Sequence, residues 1–207
     1  MTDHPDSDRD AGHQLENTGF ALFILGELMD APHPGYKLRD ILSRLLGPYH
    51  PISWETIHPI IIHLAQEGCV AQVPAAEMQR EGVESPGQQH FYAITDAGRQ
   101  RFHALIVMPG DYTLDYRELF IIKILYLRFL SFREQYAILA HCLEYLKRER
   151  ANRQQVFSAR STTAALPADQ REPIFRMARF CLAGTQAEIE WVEEEMAQLK
   201  ERIDQQE

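Results

Sequence analysis

The sequence predicts a mainly α-helical protein with a small β wing: an N-terminal winged helix-turn-helix domain followed by a C-terminal helical dimerisation domain. Three observations carry that expectation. Apolar residues recur at three- and four-residue spacing over most of the 207 positions. The β-rich stretches, CVAQV (69–73) and HFYAI (90–94), are confined to one part of the first half. Pro109-Gly110 then separates that half from a second in which every element reads as helix.

The first 17 residues, MTDHPDSDRDAGHQLEN, carry five acids and no apolar run. They resemble neither a signal nor a transit peptide and are expected to form a disordered acidic tail. Residues 18–29, TGFALFILGELM, are apolar at helical spacing and stop at DAPHPG. Gly35 leads into YKLRDILSRLLG, where Tyr36, Leu38, Ile41, Leu42 and Leu45 form one stripe and Gly47-Pro48 ends the helix. A third helix opens in SWETIHPIIIHL (53–64) and ends at Gly68. Pro59 inside it admits two readings. With Thr56 as the cap, the proline falls in the first turn, where its missing N–H costs little. With Ser53 as the cap, it interrupts the helix after one polar turn. The two strands flank a polar loop containing Gly and Pro, and Thr95-Asp96 caps a fourth helix from Ala97 to about Met108. Three helices, a hairpin and another helix are the order of a winged helix-turn-helix, here spanning residues 18–108.

Residues 109–207 form the expected helical domain. DYRELFIIKILYLRFL reads as one element. The next, SFREQYAILAHCLEYLKRERANRQQVF, opens with Ser131 and Glu134 at capping-box spacing. TTAALPADQREP reads as a loop, and a third helix runs from about Pro173 to Ile203. Its apolar stripe is longer than a small domain covers, which points to a dimer seam.

Composition narrows the class. With 45% hydrophobic and 25% charged residues the chain is ordinary globular material. Three widely spaced cysteines imply no disulfide framework, and a cytoplasmic location is expected. The most apolar run, LFIIKILYLRFL, is broken by Lys123 and Arg128 and is too short to span a bilayer. No Gly-rich phosphate loop or nucleophile elbow is present, so an enzyme is not expected. The net charge of -9 opposes non-specific attraction to phosphate. Between residues 18 and 108, six basic residues face nine acids, a balance of -3. Phosphate neutralisation usually demands the opposite excess. Lys37, Arg39, Arg44 and Arg80 are the candidates for a local cationic edge.

The motifs His33-Pro34-Gly35-Tyr36, Ser53-Trp54-Glu55-Thr56-Ile57-His58-Pro59 and Gln89-His90-Phe91-Tyr92-Ala93-Ile94-Thr95-Asp96-Ala97-Gly98 resemble the PadR family of transcriptional regulators. That family's pattern runs roughly His-Gly-Tyr, Ser-x-Gly-Thr-Leu-Tyr-Pro, Arg-Lys-x-Tyr-x-Leu-Thr-x-x-Gly. The helical half resembles the larger subfamily that includes virulence-gene activators. The resemblance implies a homodimer clasped by its C-terminal helices, with the third helix in the DNA major groove and the wing on the backbone. Many relatives are repressors released by small molecules, phenolic acids among them. This sequence departs from the pattern at Glu55, His58, Gln89-His90 and the inserted Pro34, and each departure removes positive charge or alters a phosphate contact.

The candidate DNA-contacting residues are accordingly Tyr36, Lys37, Ser53, Trp54, Thr56, His58, His63, Gln89, His90 and Tyr92. Short hydroxyls and imidazoles bond phosphates and base edges, whereas Ile57, Ile60, Ile61 and Leu64 serve as the buried stripe. Without the resemblance, the same helix start reads as a solvated turn capped by Ser53. Glu55 repels phosphate unless it accepts from a cytosine amino group. Tyr112, Tyr116, Phe120 and Trp191 are candidate walls of a cleft for a small aromatic or phenolic effector, or else core packing. His33, His50, His58, His63 and His90 with Cys69 lack paired-ligand spacing, so no metal or other cofactor is expected. The expectation is a DNA-binding regulator acting as a homodimer. Its alternative is a winged-helix module that binds proteins and has lost DNA.

Overall fold

The computed structural model describes residues 6–47, 52–74, 90–112, 116–162 and 168–206. The contacts divide the chain into two compact units, 1–126 and 127–207.

In the first unit, α1 (Asp6–Asp30) is the axle. Gly19, Phe20 and the run from Leu22 to Gly26 are buried, because α3 (Trp54–Gln66), α4 (Asp96–Val107) and α5 (Tyr116–Tyr126) all pack against this helix. A helix enclosed on several sides must be apolar on several sides, which is why TGFALFILGELM has no polar stripe. The helix begins at Asp6, inside the stretch expected to be a disordered tail. The acids at its start favour a helix N-terminus, and Ala, Gln, Leu and Glu that follow are good helix formers.

Two glycines set how closely elements approach. A Cβ on Gly26 would lie 2.6 Å from the Tyr126 ring, so the glycine admits that ring against α1. The Tyr126 hydroxyl then donates to the Phe23 carbonyl at 3.2 Å and lies 2.8 Å from Glu27 Oε1. A Cβ on Gly98 would lie 2.1 Å from the Cys69 carbonyl oxygen, so α4 can start beside the sheet only with glycine there.

The sheet has three antiparallel strands in the order β1 (His33–Pro34), β3 (Phe91–Ile94), β2 (Val70–Val73). His33 pairs with Tyr92 and Val70 with Ile94. The hairpin strands match the sequence expectation. The third strand does not: DAPHPG reads as a breaker, and two residues carry no periodicity. Pro34 fits an edge strand because it needs to donate nothing to a further neighbour. α2 (Gly35–Leu46) follows without a gap and ends at Gly47, whose φ of 83° suits glycine. Three helices with a β-hairpin and a short third strand constitute a winged helix-turn-helix, the expected fold.

α5 packs on α1 in the first unit, although the sequence places it beyond the Pro109-Gly110 break. It stops at Tyr126, where a 3-10 turn, Leu127–Phe129, begins the second unit.

The second unit is a helical hairpin of α6 (Phe132–Thr162) and α7 (Ala168–Asp204). The pairs are Phe132 under the Arg202 guanidinium, Lys147 with Glu193, and Arg150 with Gln186. One number rises as the other falls, so the helices run antiparallel. The expected capping box forms: the Ser131 N–H donates to Glu134 Oε2 at 2.9 Å, and the Glu134 N–H to Ser131 Oγ at 3.4 Å. α7 starts at Ala168 and carries Pro173 inside it, earlier than the start near Pro173 read from the sequence. The preceding Ala, Gln, Arg and Glu are helix formers, and a proline near a helix start is tolerated.

Candidate nucleic-acid interface

The entrance of α3 is built from Ser53 outward. Ser53 is the N-cap: its Oγ accepts from the Thr56 N–H at 3.3 Å, and the two hydroxyl oxygens are 3.2 Å apart. Pro59 is therefore the sixth residue of the helix and interrupts it after one polar turn. It has no N–H to offer the Glu55 carbonyl, so the first turn leans on the Ser53 cap. Beyond that turn Ile57, Ile60, Ile61 and Leu64 are buried, while Ser53, Glu55 and Thr56 are exposed. One helix thus carries two different surfaces.

Trp54 locks this entrance to the rest of the domain. A Cβ on Gly35 would lie 2.6 Å from the Trp54 ring and 3.4 Å from the Tyr92 ring. The glycine of HPGY is thus a seat for the indole, at the point where β1 becomes α2. On its other side Trp54 stacks on His58, with ring centroids 4.8 Å apart. Trp54 and His58 are half-buried. The imidazole is held by an aromatic neighbour and keeps part of its edge in solvent.

The remaining candidates separate. Tyr36 and Lys37, at the start of α2, are exposed, Tyr36 to 47%. His90 is exposed just before β3. Tyr92 is only 5% exposed and packs toward Gly35, so it supports the entrance from beneath and presents no surface. His63 lies five residues beyond His58 and lines a different feature, a cleft shared with α1 and α4. It sits 3.5 Å from Glu67. Gln89, like His50 and Arg80, lies outside the described residues. Of the expected effector residues, Tyr112 and Tyr116 meet edge to face at 5.4 Å, and Tyr116 and Phe120 are buried. Trp191 is on α7 in the second unit, where it is exposed.

Charge at the entrance is sparse. Arg39 is spent on Asp40, with its Nε 2.9 Å and its Nη2 2.5 Å from Oδ1. Lys37 and Arg44 remain as cations of α2, both exposed. Glu55 is fully exposed, and its carboxyl is held below the usual range by its own backbone N–H and then by Ser53. It therefore stays ionised at the helix start, where the macrodipole also favours an anion. His33, between β3 and Lys37, has its pKa lowered by burial and then by the Lys37 charge. Among the described residues no cluster of three metal-ligating side chains occurs, and no helix is long and apolar enough to cross a membrane.

The fold and this entrance define a winged-helix protein with a helical hairpin appended. No protein-family model matches the chain, and no curated protein matches it. Among solved structures it is similar to PadR of Bacillus subtilis in complex with operator DNA, at 19% identity and a TM-score of 0.38, covering 86% of this chain and 98% of that one. It is similar to a PadR-like transcriptional regulator of Bacillus cereus at 16% identity and a TM-score of 0.35, covering 88% and 99%. It is also similar to the virulence activator AphA of Vibrio cholerae at 22% identity and a TM-score of 0.35, covering 88% and 99%.

Proposed function

We propose that the chain is a transcriptional regulator that binds double-stranded DNA as a homodimer, with the entrance of α3 as its reading element. The observation that carries this is the division of α3 at Pro59. An apolar body is sunk into the domain, and a polar first turn of Ser53, Glu55 and Thr56 is left in solvent with Trp54 fixing its position. A solvated helix start needs no aromatic lock, whereas a reading helix must hold its hydroxyls still against base edges. The motif resemblance supports the same reading.

The hairpin supplies the proposed dimer surface. On α7 Met177, Phe180, Gly184 and Trp191 recur at helical spacing and face away from buried Ala178, Thr185, Ile189 and Val192. Phe180 is 81% exposed, and a Cβ on Gly184 would meet nothing within 4 Å. A row of exposed large apolar residues is a protein-contact surface. Two copies then address a pseudo-palindromic site whose half-site spacing follows the dimer. Occupancy of a promoter is the proposed mode of action.

Fluorescence anisotropy with the protein's own upstream DNA, repeated across salt, tests the proposal. The expected result is specific binding that weakens steeply with salt. Thr56→Ala is expected to reduce it about tenfold, a discrimination of ~1–3 kcal/mol for a lost base contact. Thr56 is the cleaner probe, because Trp54→Ala would also unseat the helix from Gly35. The acidic balance of the domain and the ionised Glu55 favour a second reading, a winged-helix module that docks a protein. Absence of specific binding even at low salt would establish that reading over the first.

A further inference from the structure

Four branched apolar residues of α3 belong to the core: Ile57, Ile60, Ile61 and Leu64 are at most 7% exposed. A fifth, Ile62, does not, being 36% exposed. Isolated apolar residues are common on protein surfaces, so exposure by itself assigns nothing. Its position does. Residues seven apart on a helix differ by about 20° around the axis at ~100° per residue, which puts Ile62 on the face of Glu55, two turns further along. His58 lies one turn before Ile62 and about 40° to the side, half-buried against the Trp54 ring. Glu55, Ile62 and Gln66 thus form one exposed strip, opposite the buried stripe of the same helix.

The chemistry of that strip restricts what it can read. No lysine or arginine occurs anywhere in α3, WETIHPIIIHLAQ. The commonest specific contact to a base, a bidentate Arg or Lys on guanine O6 and N7, is therefore closed to this helix. In its place stand an acceptor at Glu55 and a branched aliphatic group at Ile62. The apolar group that the major groove offers is the C5-methyl of thymine, whereas the other groups that distinguish base pairs there are hydrogen-bond donors and acceptors. Ile62 set against one of those would leave it without a partner, which costs affinity.

We propose that Ile62 is a specificity-determining residue that reads a thymine methyl in the major groove. Seven residues of helix rise ~10.5 Å against ~3.4 Å per base-pair step, so this thymine lies about three base pairs from the base beside Glu55. The proposal rests on the DNA-binding reading of α3 and deepens it, extending the reading surface from the polar first turn to the strip beyond Pro59.

The test uses the full chain and duplexes from its own upstream DNA, in which the thymines of the bound segment are replaced one position at a time by deoxyuridine. The two nucleotides differ by the C5-methyl alone. At one position in each half-site the replacement is expected to weaken binding about fourfold, the factor for one buried methyl group. Ile62→Ala should lose about the same factor on the thymine duplex and should no longer distinguish thymine from deoxyuridine at that position. Ile62→Leu, which keeps a branched aliphatic group, should still distinguish them. Ile62→Ala trims an exposed side chain and introduces a better helix former, so thermal unfolding of the variant should match that of the unaltered chain. Failure of the unaltered chain to bind its upstream DNA specifically overturns the DNA-binding reading and this proposal with it. Specific binding that ignores every deoxyuridine replacement, or whose sensitivity survives unchanged in Ile62→Ala, overturns this proposal alone.

Discussion

The two units differ in how they cover their largest side chains, although each leaves some apolar residues exposed, Ile121 and Leu125 in the first and Phe180 and Trp191 in the second. In the first, Leu22, Phe23, Leu42, Ile57, Ile61, Phe102 and Tyr126 are closed off from solvent, because helices, sheet and α1 surround one another. In the second, two helices pack side by side, and a helix in a hairpin has one face covered by its partner. The covered face holds Ile189, Val192 and Leu199; the rest of α7 leaves Phe175, Met177, Phe180 and Trp191 exposed. The number of surrounding elements, and not the hydrophobicity of the stretch, decides which phenylalanines are core.

One pair of substitutions can break this comparison. Phe102 in α4 is 2% exposed, and Phe102→Ala is expected to cost about 3–5 kcal/mol in denaturant unfolding. Phe180→Ala removes the same ring from α7 and is expected to change the stability of the fold itself by no more than about 0.5 kcal/mol. Its effect should appear in sedimentation, as a shift from dimer toward monomer at micromolar concentration. Equal unfolding costs for the two variants would mean that the hairpin face is covered within one chain, and the proposed dimer surface would be lost.

The same contrast explains what could be read from the sequence. Where an element has one buried face, periodicity exposes it: the stripe of α3 and the capping box at Ser131 appear where expected, and of the α2 stripe Leu38 and Leu42 are buried while Tyr36 is exposed. Caps also write themselves locally, as Thr95 shows by accepting from the Gly98 N–H at 3.0 Å. Features that depend on distant partners leave no such trace. The strand His33–Pro34 exists only because β3 lies beside it, and the pairing of Gly35 with Trp54 joins residues 19 positions apart. Tyr92 sits in a motif that reads as contact surface, yet the geometry turns it inward. His63 shares a helix with His58 but lies about 140° around it, at ~100° per residue, and so belongs to the cleft. The place of Arg101 had no sequence signal; only the arrangement of three helices puts it at the rim of that cleft.

A buried amine in the first unit sharpens the contrast at intermediate energy. Lys123 of α5 is 4% exposed and donates to the Met108 carbonyl at the end of α4. Burial lowers its pKa from 10.5 to about 8. The unfolded chain therefore holds a proton that the folded chain has released between pH 8 and 10.5. Unfolding free energy should rise with pH across that window and be lower below it, where the folded state must carry the buried charge. Lys123→Met should flatten the rise, by about 3 kcal/mol at most across the window. Stability measured by denaturant at pH 7.5 and pH 10 in both proteins decides this. An unchanged pH dependence in Lys123→Met would mean that the amine reaches water in solution.

The smallest effects belong to a solvent-exposed part of the first unit, the entrance of α3. Ser53→Ala removes the cap that accepts from the Thr56 N–H and should cost about 1 kcal/mol of stability, because Pro59 already deprives that turn of a helical bond. Glu55 touches no core residue, so Glu55→Gln should leave stability nearly unchanged. Its carboxylate nevertheless occupies the amide-rich start of the helix, where a phosphate oxygen would otherwise be favoured. Removing that charge while keeping the side chain's shape should tighten DNA binding a few-fold, most visibly at low salt where the repulsion is least screened. Anisotropy at two salt concentrations measures it. If Glu55→Gln instead weakens binding to one sequence and not to others, the carboxylate reads a cytosine amino group, and the departure at residue 55 is a specificity determinant.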